Sequence, residues 1–181
     1  MIMKSVKAME DIVVSGVTLQ KDEAKVTVRD VPDKPGMAAE LFRELAEKGI
    51  NVDMIVQNVS REGSTDLSFT VLKGDLPSTL RVTRSVSHRI GAGEVTTDEG
   101  VAKLSIVGIG MRSHSGIAAK MFEAMARERI NIEMISTSEI KISCVIRKIH
   151  AERAVQAVHR AFGLHRQPSA ARRLSAAARS S

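Results

Sequence analysis

The chain has 181 residues, a formal net charge of +6, 43% hydrophobic residues and only 2% aromatic ones. That length suits one ordinary domain or two small ones, and with Phe as the sole aromatic type the core must rest on Val, Ile, Leu and Met. No apolar run approaches the roughly 20 residues of a membrane helix, the start lacks the pattern of a signal peptide, and the single Cys144 cannot close an intramolecular disulfide, so a cytoplasmic protein is expected.

Taken in chain order, the first predicted strand is DIVVSGVTLQ, Asp11 to Gln20. A second strand follows in EAKVTV, where Val26 and Val28 alternate with polar residues. The loop Asp33-Lys34-Pro35-Gly36 then leads into a helix whose apolar face is Ala38, Leu41, Phe42 and Leu45, the spacing of a helix packed on one side. Gly49 ends it. The strands INVDMI and STDLSFTVL, the helix LPSTLRVTRSVSHRIG and a strand in EVTTDEG complete this unit.

From Val101 the order starts again. Leu104 and Ile106 alternate in a strand, and the loop RSHSGIA leads into a helix with Ala118, Met121, Phe122 and Met125 on its apolar face. INIEMI, IKISCVIRK and AERAVQAVHRAFG follow as strand, strand and helix. Cys144, inside an apolar run, reads as a small core residue. From Arg166 the sequence RQPSAARRLSAAARSS holds four arginines and no acid. Its composition predicts a disordered basic tail over 165–181, and without it the chain is close to neutral.

The two units are copies. From Gly36 to Ile55 the offset is a constant 80, and nine of twenty positions are identical. Each copy reads βαββα, and the first adds a fourth strand near Glu94 to Gly100. The second has no such strand, and a sheet missing one leaves an exposed edge. The unpartnered N-terminal strand supplies it. The expectation is therefore an α+β protein of two ferredoxin-like βαββαβ domains, antiparallel sheets with both helices on one face. The first domain (24–100) is inserted within the second (11–20 plus 101–164).

Strand alternation turns Val52, Met54 and Val56 toward the helices, and Asn51, Asp53 and Gln57 the other way. In the second copy Ile132 and Met134 face the helices, while Asn131, Glu133 and Thr137 take the polar places. The neighbouring loops carry a glycine at a helix start, where free N–H groups suit a carboxylate or phosphate. An α-amino acid needs such donors for its carboxylate and acceptors for its ammonium, and Asn51 and Asp53 offer the acceptors. Alone, Asp33 to Gly36 is a helix-start turn; its repetition together with the polar row favours a ligand site.

The stretches DKPG, INVDMIVQN, MRSHSG and ISTSEIKIS resemble the paired ACT domains of aspartate kinase, over about Met9 to Leu164. The resemblance implies the same insertion of one ACT unit in the other. It implies effector binding at ACT–ACT interfaces by Asp33, Lys34, Pro35, Gly36, Met37, Ala38, Asn51, Val52, Asp53 and Gln57. In the second copy the corresponding residues are Ser113, His114, Ser115, Gly116, Ile117, Asn131, Ile132 and Glu133, with Thr137 and Ser138 nearby. It further implies a regulatory region or β subunit with threonine or lysine as effector. The partners would be a second copy and the catalytic subunit of the kinase. The nucleotide and aspartate sites of that kinase are not in this sequence, so no catalysis is expected from the chain alone.

Other functions have weaker support. The five histidines form no metal-ligand pair at one-turn spacing, and no catalytic set stands out. GIGMRSHSG places Ser113 where a dinucleotide loop needs its third glycine. No cofactor is expected. An RNA-binding sheet needs exposed aromatic rings, and Phe69, alternating with Leu67 and Val71, turns to the core. A free-standing ACT sensor for another enzyme is the alternative within the same family.

Overall fold

The structure is a computed structural model and describes residues 13–59, 62–109 and 116–164. Asp11, Ile12 and the basic segment 165–181 lie outside the described residues. The elements run β1 (Val13–Gln20), β2 (Glu23–Pro32), α1 (Met37–Glu47), β3 (Val52–Gln57), β4 (Ser64–Leu72), α2 (Leu76–Ile90), β5 (Val95–Asp98), β6 (Val101–Ile109), α3 (Gly116–Arg127), β7 (Ile132–Thr137), β8 (Lys141–Arg147) and α4 (Ala151–Ala161). They form two four-stranded sheets, ordered β3-β4-β2-β5 and β1-β6-β8-β7, with every neighbouring pair antiparallel.

β1 takes the edge place that the second copy's own strands leave empty. It pairs with β6 from Val14 opposite Gly108 to Gln20 opposite Lys103. Strands β2 to β5 of the first copy therefore lie, in sequence, between β1 and the rest of its sheet. The expected element types recur throughout, with short differences at the ends; IKISCVIRK, for example, contributes Lys141–Arg147.

Each sheet packs its two helices on one face. In the first module Val26, Val28, Leu41, Leu45, Phe69 and Val86 are buried together. Phe42 meets Phe69 edge to face, with ring centroids 5.5 Å apart. Leu104, Ile106, Met121, Met125, Cys144 and Val158 form the counterpart in the second module. The spacing read as one-sided in the sequence thus buries one stripe of each helix.

The second strand of each copy departs from simple alternation. Val52 pairs with Val71, but Ile55 pairs with Phe69, so β3 carries an extra residue. In β7, Ile132 pairs with Ile146 and Met134 with Val145. These β-bulges reverse the facing of the later residues in each strand. Val52 does pack toward the helices. Met54 and Val56 do not: they turn to the helix-free side, as does Met134, where Met54, Val101, Met134 and Val145 form a separate buried cluster. Gln57 and Thr137 correspondingly stand opposite Leu67 and Ile142, on the helix side. The expectation that Val52, Met54 and Val56 share one face and Asp53 and Gln57 the other is corrected on this point.

The cluster also answers what covers the second face of each sheet. The helix-free faces of the two modules are closed against each other, with Thr70, Ser105 and Ser143 buried there as well. Phe69 has no exposed surface, and the face an RNA would need is occupied.

Two measurements probe this packing. Phe69→Ala should lower stability by about 3–5 kcal/mol in denaturant titration, the usual loss for a large aromatic core side chain. The Cys144 thiol is pushed up to about 12 by burial, so at pH 8 it should react with a thiol reagent only after unfolding.

Candidate functional site

The loop before α1 is held at one end of the first sheet. Gly36, at φ 95°, is in the left-handed region that favours glycine. The Asp33 amide donates to the Gly63 carbonyl at 2.9 Å, tying the loop to the turn before β4. No side chain caps α1; the Met37 amide donates to the Lys34 carbonyl at 3.5 Å, and a helix start leaves its other first-turn amides without intrahelical partners. Asp33, Lys34, Pro35 and Gly36 are exposed, and Met37 and Ala38 half-buried.

The end of β3 reaches the same end of the sheet. Gln57 stands opposite Leu67, and Thr65 Oγ1 donates to the Asn58 carbonyl at 2.7 Å, while Val31 pairs with Thr65 from the other side. Gln57 is thus on the helix side of the sheet, at the end where α1 begins. A polar basin of about 640 Å³ also opens there, lined by Asp30, Asn58, Val59, Glu62, Ser64, Thr65 and Asp66. None of the sequence-derived site residues lines it.

At its helix start the second module is described from Gly116 onward. Thr137 and Ser138 lie at the end of β7, with the Ser138 amide donating to the Lys141 carbonyl at 2.8 Å. Gly116 and Ile117 begin α3 and line a cleft of about 230 Å³ with Val14, Lys120 and Phe162. The Lys120 ammonium sits 5.2 Å from the centre of the Phe162 ring. Ser113, His114 and Ser115 lie outside the described residues.

The remaining sequence-derived residues go elsewhere. Asn51 and Asn131 are exposed at the opposite ends of their strands. Val52 and Ile132 pack against the helix cores. Asp53 and Glu133, expected to hold an ammonium, already hold lysines of the opposite module. Lys103 in β6 binds Asp53 and also Glu23 in β2, at 3.1 Å. Lys25 in β2 donates to Glu133 at 2.6 Å, and Arg147 in β8 reaches Glu133 at 3.3 Å and pairs with Asp98 in β5. Asp53 stands where Met54 approaches Thr70, four residues along the strand from Gln57. At about 3.3 Å per residue, that is about 13 Å from the loop end.

Sequence reasoning missed Lys25, Lys103 and Arg147. The signal was present: EAKVTV and VAKLSI put a lysine at the same place on the first strand of each copy, as regular as the repeated carboxylate. What the described residues of the site offer chemically suits binding: backbone donors, one amide or hydroxyl side chain and an open strand edge. Among the described residues no three His, Cys, Asp or Glu side chains could hold a metal ion. No described helix is long and apolar enough to cross a membrane.

The Arg147 guanidinium beside Asp98, helped by the Gly100 N–H, outweighs partial burial and holds that carboxyl below its usual range. A depressed carboxylate contributes stability above its unfolded pKa of about 3.9 and loses it as pH falls through the folded value. Asp98→Asn should therefore flatten the acid limb: urea midpoints of the two proteins should converge as pH drops below about 4.

Comparison with known proteins agrees with this architecture. Residues 26–87 and 104–162 each match the ACT domain family. The chain is 49% identical over 158 residues to an aspartate kinase of Stutzerimonas stutzeri, covering 87% of this chain and 38% of that protein. It is 48% identical over 156 residues to an aspartokinase of Helicobacter pylori, covering 86% of this chain and again 38% of the relative. The chain thus spans well under half the length of these curated relatives. Among solved structures it is similar to the regulatory subunit of aspartate kinase from Thermus thermophilus, in ligand-free form. There the identity is 44% and the TM-score 0.79, with 82% of this chain and 98% of that one covered. A crystal structure of aspartokinase alpha and beta subunits contains a chain 47% identical, with a TM-score of 0.78, covering 83% of this chain and 99% of that one.

Proposed function

The chain belongs to the aspartate kinase family, as its regulatory region of paired ACT domains, and from that membership we propose that it binds threonine or lysine and transmits feedback inhibition to a catalytic chain. The pathway controlled is the one leading from aspartate to lysine, threonine and methionine. The chain itself requires no cofactor and works in the cytoplasm.

One observation carries the reading. Each module carries the same set at one corner: a glycine at a helix start, Gly36 or Gly116, the polar end of an unpaired edge strand, and an exposed isoleucine. Ile55 is 50% exposed and Ile135 45% exposed, at equivalent places on β3 and β7. Edge strands that expose apolar side chains favour pairing with another strand. A second copy set edge to edge would cover Ile55 or Ile135 and bring a facing module over the loop. The amino-acid carboxylate would meet the helix-start amides, and Gln57 or Thr137 would read its side chain. The difference between amide and hydroxyl makes the two corners unequal in selectivity.

Inhibition is then a linkage effect. Effector bound between modules stabilises one packing of the dimer, and it shifts the catalytic partner only by its preference for that packing, typically about 1–3 kcal/mol. The relatives covered to 98% or more include a regulatory subunit of aspartate kinase and a chain from a structure of aspartokinase alpha and beta subunits, which supports a separate catalytic chain as partner.

Calorimetry of the purified chain with threonine and with lysine is expected to give heat with at least one, together with a rise in melting temperature. No heat and no shift with either would overturn the reading. Ile55→Asp and Ile135→Asp should each reduce dimer mass in light scattering. Co-purification with an aspartate kinase catalytic chain is expected; amino-acid binding without it would make the chain a sensor for another enzyme.

A further inference from the structure

The repeated carboxylates are placed by the bulges. With one extra residue in β3, the Met54 amide donates to Thr70 Oγ1 at 3.1 Å, and both Asp53 and Met54 fall in the slot beside Thr70. In β7 the same shift sets Glu133 and Met134 beside Val145. Carboxylate and methionine therefore present together to the opposing module, twice, in reciprocal fashion.

The innermost partners are buried, while Asp53 and Arg147 at the margins keep 39% and 41% of their side chains exposed. The Lys103 side chain is 6% exposed and that of Glu23 4%; one Glu23 oxygen has no hydrogen-bond partner. The Glu133 and Lys25 side chains are 17% and 22% exposed. Two networks result. Glu23 and Asp53 of the first module grip Lys103 of the second. Lys25 and Asp98 of the first grip Glu133 and Arg147 of the second. Between them Met54, Val101, Met134 and Val145 exclude water.

We infer that these crossed pairs are a mechanical coupling between the modules: each fastens the edge strand of one module to the first strand of the other, so that a displacement of β3 or β7 is felt in the opposite sheet. A buried charge deprived of its partner is strongly unfavourable. The interface is therefore either closed with its pairs made or open to water, with little in between. The edge strands that the pairs hold are the same strands whose far ends form the open corners. Strain at a corner runs down one strand, through Asp53 or Glu133, to the first strand of the other module. Asp53 and Glu133 are thus positioning residues, and the coupling holds whatever ligand the corners bind.

Native-state hydrogen exchange of the full chain tests this. Lys103→Met lies in β6, yet it is expected to speed amide exchange in β3 by about tenfold or more and to split a single unfolding transition into two. Lys25→Met and Glu133→Gln should be non-additive in the double variant, as contacting residues are. Faster exchange confined to β6 and β8, with β3 at the wild-type rate, would overturn the inference, as would additivity of the second pair. If Lys103→Met does not fold, Asp53→Asn, which is more exposed, serves in reverse. Faster exchange in β6 supports the coupling, and an unchanged rate sinks it.

Discussion

A four-stranded sheet has two faces, and each module here has helices enough for one. The other face carries Thr70 and Glu23 in one module, Lys103, Ser105 and Ser143 in the other, all buried. Neither face would be tolerable in an apolar environment without the other, because buried polar groups must find partners. Ser105 meets Ser143 at 2.7 Å, Thr70 takes the Met54 amide, and the charged groups find theirs across the gap. Closure of the two faces is the condition under which the remaining features can exist: the bulges, the buried lysine and the fixed directions of the edge strands.

This condition also decides what a ligand can meet. A carboxylate committed to Lys103 is poorly disposed to receive a ligand ammonium. On the proposed reading, the binding surface contracts to the start of each module's first helix, the end of the neighbouring edge strand and whatever a facing module brings. Such a half-site is incomplete by construction, since an open corner with one wall gives a zwitterion little burial. On that reading ligand binding and module pairing depend on each other, as a feedback regulator requires.

Much of the fold was legible because periodicity reports burial. Val26 and Val28, Leu104 and Ile106, and the helix stripes around Leu45 and Met125 all lie where alternation or helical spacing puts them. The place of β1 followed from counting strands, since an unfilled edge demands one. The facing of the edge strands was not legible. In VDMIV the run Met54-Ile55-Val56 breaks the alternation, yet a run of apolar residues does not say which of them is extra. The bulge is set by tertiary partners, the Thr70 hydroxyl and the lysines across the interface. Hence the carboxylates Asp53 and Glu133 and the lysines Lys25 and Lys103 both recur in the sequence, but nothing there says that they meet. A lysine in a strand reads as solvated until something covers it, and for Lys25 and Lys103 the cover is the other sheet.

The pairing of β1 with β6 has a consequence for how the protein is made. Gln20 must find Lys103, and Val14 must find Gly108, with an entire module synthesised in the interval. On the ribosome β1 emerges before β2 to β5 and waits unpaired while these strands, whose partners are close in sequence, fold behind it. Loop closure over such a span is slow, and a waiting strand with open edges invites mispairing. The early module thus serves as the spacer across which the later one is closed, and the β1–β6 pairing joins two strands whose syntheses are a whole module apart.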